Sequence, residues 1–275
     1  MSASPDLTPP DTARVSTGVL RITAPNPGPG TLHGTNTYLV EEDEGVVVID
    51  PGPESDEHLS RILQLSSRPI IRIVLTHGHP DHCTLAPALA ASTGSPIWGY
   101  APSLASFPLD QVLGDGETIG TLKAIYTPGH SPDHLCLAYR DRVLFTGDLV
   151  MGWSSTVVSP PNGRMADYFR SLERLLTRND TLYLPGHGPL VTNPRERTGE
   201  LLARRMRREA EIVAHSSTPV TIAALLESYY SHIPPSLRGA ARRTIHAHLL
   251  KLDEEKWVMT TDGGETWVAV QSTQA

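Results

Sequence analysis

An α/β fold whose strands end in metal ligands is what this 275-residue sequence predicts. Three observations carry that reading. The β-branched run Ile70-Ile71-Arg72-Ile73-Val74-Leu75 passes directly into Thr76-His77-Gly78-His79-Pro80-Asp81-His82, which sets three imidazoles and a carboxylate within six positions. Further apolar runs end the same way: Lys123 to Tyr126 leads to His130, Val143 to Phe145 to Asp148, and Thr181 to Leu184 to His187. Between such runs lie segments of helical spacing, so strands and helices alternate.

In chain order, Asn26-Pro27-Gly28-Pro29-Gly30 is a turn-rich lead into the strand Thr35 to Val40, and Glu41-Glu42-Asp43-Glu44-Gly45 separates it from Val46 to Asp50, a hairpin closed by Pro51-Gly52. Leu59, Ile62, Leu63 and Leu65 predict a surface helix. In the extended chain that follows, residues two apart point the same way, so His77 and His79 can grip one ion. Asp81 and His82 begin a new element, where adjacent residues diverge, and suit a second ion. Thr84 to Thr93 is Ala/Leu-rich and stops at Gly94, a helix ending. The glycine beside each later ligand lets the backbone turn sharply and approach an ion closely. Met165 to about Asn179 predicts a helix with Leu172, Leu175 and Leu176 on one face. Past Pro194 the composition shifts: Leu202, Met206, Ala210 and Val213 stripe an arginine-rich helix, further helices span about Ile222 to Tyr230 and Pro235 to Leu250, and Lys256 to Met259 pairs with Thr266 to Val270 across Asp262-Gly263-Gly264. These last elements predict a small winged-helix-like domain. The expected division is a disordered tail over 1–12, a catalytic domain over 13–195 and the small domain over 196–275.

Composition bounds the function. Aromatics are 5% while Gly (22) and Pro (24) abound, so many short elements and tight turns are expected. A net charge of -7 makes the whole chain a poor polyanion binder. The charge is uneven, because Val191 to Lys251 carries ten Lys/Arg against five Glu. Arg204, Arg205, Arg207, Arg208, Arg238, Arg242 and Arg243 could contact phosphates of RNA or of a coenzyme; the competing reading is a solvated helix face that docks an acidic main domain. Cys83 and Cys136 make no disulfide framework and are expected as small buried residues in a reduced, cytoplasmic setting. The N-terminus shows no basic region followed by an apolar one, and no apolar run is long enough for a membrane span. No membrane association and no stable protein partner are expected.

His77-x-His79-x-Asp81-His82 followed by His130, Asp148 and His187 resembles the motif set of the metallo-β-lactamase superfamily across roughly residues 13–195. Within it the chain looks like the beta-lactamase-like protein 2 family, with glyoxalase II more distant. The narrower likeness rests on Asn26-Pro27-Gly28-Pro29, Gly34-Thr35-Asn36-Thr37-Tyr38-Leu39, Thr127-Pro128-Gly129-His130-x-x-Asp133-His134 and Leu184-Pro185-Gly186-His187-Gly188-Pro189, and on the C-terminal segment. The resemblance implies an αββα sandwich with the site on one sheet edge. It implies that His77, His79 and His130 hold one Zn²⁺, that Asp81, His82 and His187 hold another, and that Asp148 bridges the two. A hydroxide shared between the ions would be the nucleophile, oriented by Asp81, in a dinuclear zinc-dependent hydrolase. His134 is read either as an imidazole facing the substrate, with a catalytic role, or as one fixing the loop. Asp50 is read as structural. The family likeness points to single-stranded RNA as substrate; the alternative is thioesterase or glyoxalase II-like ester hydrolysis of a small molecule. An iron-dependent oxygenase ranks below both, since the diiron electron-transfer branch has Glu where this chain has His79. Antibiotic hydrolysis is disfavoured, because its commonest enzymes carry Cys where this chain has Asp148. A binding-only protein with a vestigial site is disfavoured because every ligand position is filled.

Overall fold

The apolar runs become two β-sheets in the computed structural model, which describes residues 11–140, 142–260 and 262–270. Of the tail expected over 1–12, residues 1–10 lie outside the described residues, and the first strand already begins at Thr12. The chain forms two compact units: residues up to 127 with 133–155 and 178–197, and residues 128–132, 156–177 and 198 onward.

In the first unit one sheet contains β1 (Thr12–Ser16), β2 (Val19–Thr23), β3 (Asn36–Glu41), β4 (Val46–Ile49), β5 (Ile70–Val74), β6 (Ile97–Gly99) and β7 (Gln111–Val112), side by side in that order. The first four strands run antiparallel. From β4 onward the strands are parallel, joined by α1 (Asp56–Leu65) and then by the short α2 (Pro80–Cys83) and α3 (Ala86–Thr93). The second sheet has the order β12-β11-β10-β9-β8, from β8 (Thr118–Ile119), β9 (Leu122–Tyr126), β10 (Leu135–Tyr139), β11 (Val143–Gly147) and β12 (Leu182–Pro185). Val47, Ile49 and Val74 of the first sheet share one cluster with Ala124, Leu137, Phe145 and Leu184 of the second. The alternate residues Val46, Val48 and Ile73 pack with Ile62 of α1 and Leu89 of α3. Both faces of β4 are thereby covered, which explains why it is a continuous apolar run and not an alternating one.

Strand direction gathers the chemistry at one edge. β4 and β5 are parallel, so Asp50 and the His77 loop leave the first sheet side by side. β11 and β12 are also parallel, which puts Asp148 and His187 together. The antiparallel β9–β10 pair, with Tyr126 opposite Leu135, makes 127–134 a loop at the same end of its sheet.

The second unit contains α4 (Met165–Leu176), most of α5 (Pro194–His215), then β13 (Val220–Thr221), α6 (Ile222–Tyr230), α7 (Pro235–Glu254), β14 (Val258–Thr260) and β15 (Thr266–Ala269). The three strands form a sheet ordered β13-β15-β14 over a core of Ile212, Leu225, Ile245, Leu249, Val258 and Trp267. One expectation is corrected here. The stripe Leu202, Met206, Ala210, Val213 is not the buried face of α5, for Met206 is 58% exposed while Leu201, Arg205, Glu209 and Ile212 are buried. Polar partners make this possible. Arg205 lies over the Tyr168 ring and donates to Thr156 O, and Glu209 accepts from His248 Nδ1 (3.0 Å) and Lys251 Nζ (2.8 Å). Arg205 is therefore withdrawn from the expected basic surface. Arg208 is largely engaged too, 4.0 Å over the Tyr229 ring and paired with Glu211, and Arg238 pairs with Glu227.

His58 of α1 is fully buried, with Nε2 2.8 Å from Thr37 Oγ1. The Thr37 hydroxyl spends its proton on Asp50 O (2.7 Å), so His58 must donate from Nε2, and its Nδ1 is left without a partner. Protonating Nδ1 would bury an uncompensated charge. Burial, reinforced by Arg61, pushes the pKa down to about 4. A folded-state value below the unfolded one stabilises at neutral pH and is lost as pH falls, here between about 6.5 and about 4. Urea denaturation across that range should show His58→Gln flattening the acid loss of stability by something on the order of 3 kcal/mol.

Candidate metal centre

The Thr76 hydroxyl sets the first ligand. It donates to Asp50 Oδ2 (2.7 Å), so it accepts from His77 Nδ1 (3.0 Å) and leaves His77 Nε2 as an acceptor, 3.0 Å from His79 Nδ1. The same logic operates at His82, whose Nδ1 lies 2.9 Å from Asp50 Oδ2 and whose Nε2 points the other way. That nitrogen meets His187 Nε2 at 3.2 Å, Asp148 Oδ1 at 3.4 Å and Asp81 Oδ2 at 3.8 Å. His187 Nε2 lies 3.2 Å from Asp81 Oδ2 and 3.4 Å from Asp148 Oδ1, with its Nδ1 turned to Gly34 O.

Two groups follow, Asp81 with His82 and His187, and His77 with His82 and Asp148, each with its ligand atoms within 4.8 Å of one another. His82 Nε2 and His187 Nε2 face each other beside shared carboxylates, so protons carried on both would repel. A cation resolves the conflict, and a set of imidazole and carboxylate without thiolate suits a borderline divalent ion. The electrostatics agree. Burial pushes the Asp148 carboxyl up, but His187 and His82 beside it outweigh that and hold it well below the usual range. At Asp81 burial is likewise outweighed, by His82 and His187, leaving a value of about 2. Burial opposes charge on His82 and His187, yet the neighbouring carboxylates raise His82 well above its ordinary value and His187 to about 9. The pocket favours positive charge, and a metal would compete with those protons for the same lone pairs.

His130 sits on the 128–132 segment of the second unit. Val157 O (2.8 Å) and Thr156 Oγ1 (2.9 Å) hold its Nδ1, which leaves Nε2 for a ligand. His134 is fully buried, with Nδ1 3.0 Å from Thr127 Oγ1 and Nε2 accepting from the Asp148 backbone N–H at 3.2 Å. Both ring nitrogens are spent on the protein, so this imidazole aims Asp148 from beneath.

Residues that the spacing did not single out hold the loops. Asp133 Oδ2 accepts from Gly78 N (3.0 Å) and Leu104 N (2.8 Å), tying the His77 loop to the 103–104 turn. A Cβ on Gly78 would lie 2.2 Å from Ala105 N, so only glycine fits there. A Cβ on Gly186 would meet Asp148 Oδ1 and His82 Cε1 at 2.6 Å. Asn36 donates to Pro185 O (2.9 Å) and Gly188 O (3.0 Å), and Tyr38 Oη donates to Pro185 O (2.7 Å), which clamps the His187 turn of one sheet to β3 of the other. Both lie in a quoted motif. Their pairing with Pro185 and Gly188, some 150 positions away, had no signal in the sequence.

The profile of the metallo-beta-lactamase superfamily matches residues 30–115 and 101–187, and that of the beta-lactamase associated winged helix domain matches residues 221–267. The chain is 31% identical to a beta-lactamase-like protein 2 homolog of Caenorhabditis elegans, covering 92% of this chain and 93% of the other. It is 28% identical to an atrochrysone carboxyl ACP thioesterase of Aspergillus chevalieri over 95% and 90% of the two chains. A beta-lactamase domain protein from Burkholderia ambifaria superposes with a TM-score of 0.85 at 24% identity, over 96% of each chain, and shares the fold.

Asp50 touches both the His77 loop and His82 without facing the ligand pocket. Asp50→Asn should leave the circular dichroism spectrum unchanged and lower metal affinity by about 10- to 100-fold, read as earlier metal loss to a competing chelator.

Proposed function

The chain belongs to the metallo-beta-lactamase superfamily, and on that premise we propose that it is a hydrolase holding two zinc ions per chain and acting on thioesters of small acyl groups. The observation that supports metal-dependent hydrolysis above the others is the convergence of His82, His187, Asp81 and Asp148, with His187 Nε2 3.2 Å from both His82 Nε2 and Asp81 Oδ2 and Asp148 Oδ1 3.4 Å from both imidazoles. In this reading His77, His79 and His130 would hold one ion and Asp81, His82 and His187 the other, with Asp148 contributing to both, as the motif likeness implies. Ions bound there supply Lewis acidity and lower the pKa of water.

The chain's own groups do the rest. Asp81 keeps its carboxylate about a third exposed (35%) while one oxygen contacts His187, which leaves the other to accept a hydrogen bond from attacking water and orient it. His134, buried with both nitrogens occupied, acts by positioning Asp148 and does not meet the substrate. Asp50 and Thr76 keep His77 and His82 in the tautomers that expose Nε2.

Two observations support thioesters over RNA. Relatives similar along most of this chain are named as acyl carrier protein thioesterases. Of the seven arginines read as a phosphate-binding surface, Arg205 is buried, Arg208 is stacked on Tyr229, and Arg238 is ion-paired. A cytoplasmic setting belongs to the same proposal, supported by two free cysteines, both buried. Among the described residues, no helix is long and apolar enough to cross a membrane.

Metal-loaded protein offered acyl-coenzyme A, acyl-glutathione and RNA oligonucleotides should turn over a thioester and contain about two zinc ions by elemental analysis. Asp81→Asn should fold normally but slow turnover by about 10²-fold or more. Iron without zinc after expression in balanced metals would reject the hydrolase reading, and RNA cleavage with thioesters untouched would reverse the substrate class.

A further inference from the structure

Asp148 leaves β11 through a turn whose own backbone does not satisfy every amide. Thr146 O accepts the Leu149 N–H (3.0 Å), which closes the turn around Asp148 and Gly147, the latter at φ 45. The Asp148 N–H inside that turn donates to His134 Nε2 (3.2 Å). A Cβ on Gly147 would stand 2.6 Å from the same nitrogen and 2.8 Å from Thr76 Oγ1. The bare Cα thus sits between the imidazole that serves Asp148 and the hydroxyl that serves His77.

A backbone N–H can only donate, so His134 Nε2 carries no proton and the neutral ring holds its one proton on Nδ1. Thr127 Oγ1 lies 3.0 Å from Nδ1 and therefore accepts there. The hydroxyl's own proton has two acceptors in reach, Cys136 Sγ at 3.3 Å and Ile125 O at 3.4 Å. The Cys136 thiol in turn points at Thr146 O, 3.8 Å away, as a weak sulfur donor. Thr146 O and the Asp148 N–H flank Gly147, so Thr127, His134 and Cys136 form a chain of hydrogen bonds that grips the turn from both sides. All three side chains and Thr146 are fully buried, where a donor left without an acceptor is costly. Every member belongs to the first unit.

We propose that Thr127 and Cys136 are positioning residues for the Asp148 carboxylate, the hydroxyl locking the His134 proton on Nδ1 and the thiol taking the hydroxyl proton, so that the Nε2 lone pair fixes the peptide that carries Asp148. The proposal rests on Asp148 being a ligand in the hydrolase reading, and it extends the support of that ligand one hydrogen bond beyond His134. Without the hydroxyl, Nδ1–H loses its acceptor, and a proton moved to Nε2 would confront the Asp148 N–H. The carboxylate would then be aimed less narrowly at an ion.

The test uses Thr127→Val, which keeps the shape and removes the hydroxyl, Thr127→Ser, which restores it, and Cys136→Ala. Three quantities are read on protein whose circular dichroism is unchanged: the His134 nitrogen shifts in a long-range proton–nitrogen correlation spectrum, hydrogen exchange at the Asp148 amide, and zinc retention against a competing chelator. Wild-type protein should show a protonated Nδ1 and a bare Nε2. Thr127→Val should lose that pattern, speed exchange at the Asp148 amide about tenfold and weaken zinc retention about tenfold. Thr127→Ser should recover all three to within about twofold, and Cys136→Ala should move them the same way as Thr127→Val by about two- to threefold. Wild-type values in Thr127→Val would overturn the proposal. So would a loss that Thr127→Ser does not recover, which would mark packing as the cause. Wild-type values in Cys136→Ala would overturn the part given to the thiol. If Thr127→Val does not fold, Thr127→Cys, a weaker acceptor of similar size, takes its place on the same readouts. If wild-type protein retains no zinc, the hydrolase reading fails separately, and the spectrum and the amide exchange, which need no metal, still decide whether Thr127 and Cys136 hold the Asp148 peptide.

Discussion

The carboxylate of Asp50 is the constraint on which the ligand edge depends. It accepts the Thr76 N–H at 2.8 Å on one oxygen and the Thr76 hydroxyl and His82 Nδ1 at 2.7 and 2.9 Å on the other, three donors from the turn after β5 and from α2. Asp50 itself sits at φ 49, a left-handed conformation that costs a non-glycine residue about 1 kcal/mol or more. That strain turns the end of β4 back toward β5. With Asp50 in place, two imidazoles keep their protons on the protein side and their lone pairs on the ligand side, which is the difference between a cluster of polar residues and a site able to bind a cation.

Sheet topology supplies the other half. Each sheet contributes one parallel pair to the ligand edge, β4 with β5 and β11 with β12, and the site draws on the carboxyl end of all four strands. The two sheets are joined there by more than packing, because Asn36 and Tyr38 of β3 take the carbonyls of Pro185 and Gly188 on either side of His187. Buried hydrogen bonds between the sheets are directional where apolar contacts are not, and they set ligand spacing that van der Waals packing alone would leave loose.

The second unit follows a different logic. Its long helix α5 buries a polar face, Arg205 and Glu209, against Tyr168, His248 and Lys251, and leaves Met206 outside. His248 is held neutral in this cluster, burial having pushed its pKa down to about 4, so the charge balance rests on Lys251 and Glu209. Such a network specifies one packing of α5 against α7 because every member must be satisfied together. It also explains how an arginine-rich helix can present less cationic surface than its composition suggests.

Strand and helix order, the helix stop at Gly94, the hairpin across Asp262-Gly263-Gly264 and the candidate ligands that cluster were legible in the sequence, because periodicity, turn chemistry and ligand spacing are local properties written in neighbouring residues. The exposed stripe of α5 was misread because amphipathicity assumes that the buried face is apolar, and a buried face of paired charges carries the opposite signature. Asp50 was read as structural, but which groups hold which ligands had no local signature. Asp133 reaches back 55 positions to Gly78 and Asn36 reaches forward 149 to Pro185, so their roles exist only once the strand ends have been brought together. The candidate ligands were thus named by the chain on its own. Ligand orientation was decided only by the tertiary structure, because a lone pair is aimed by whichever distant group takes the proton on the other side of the ring.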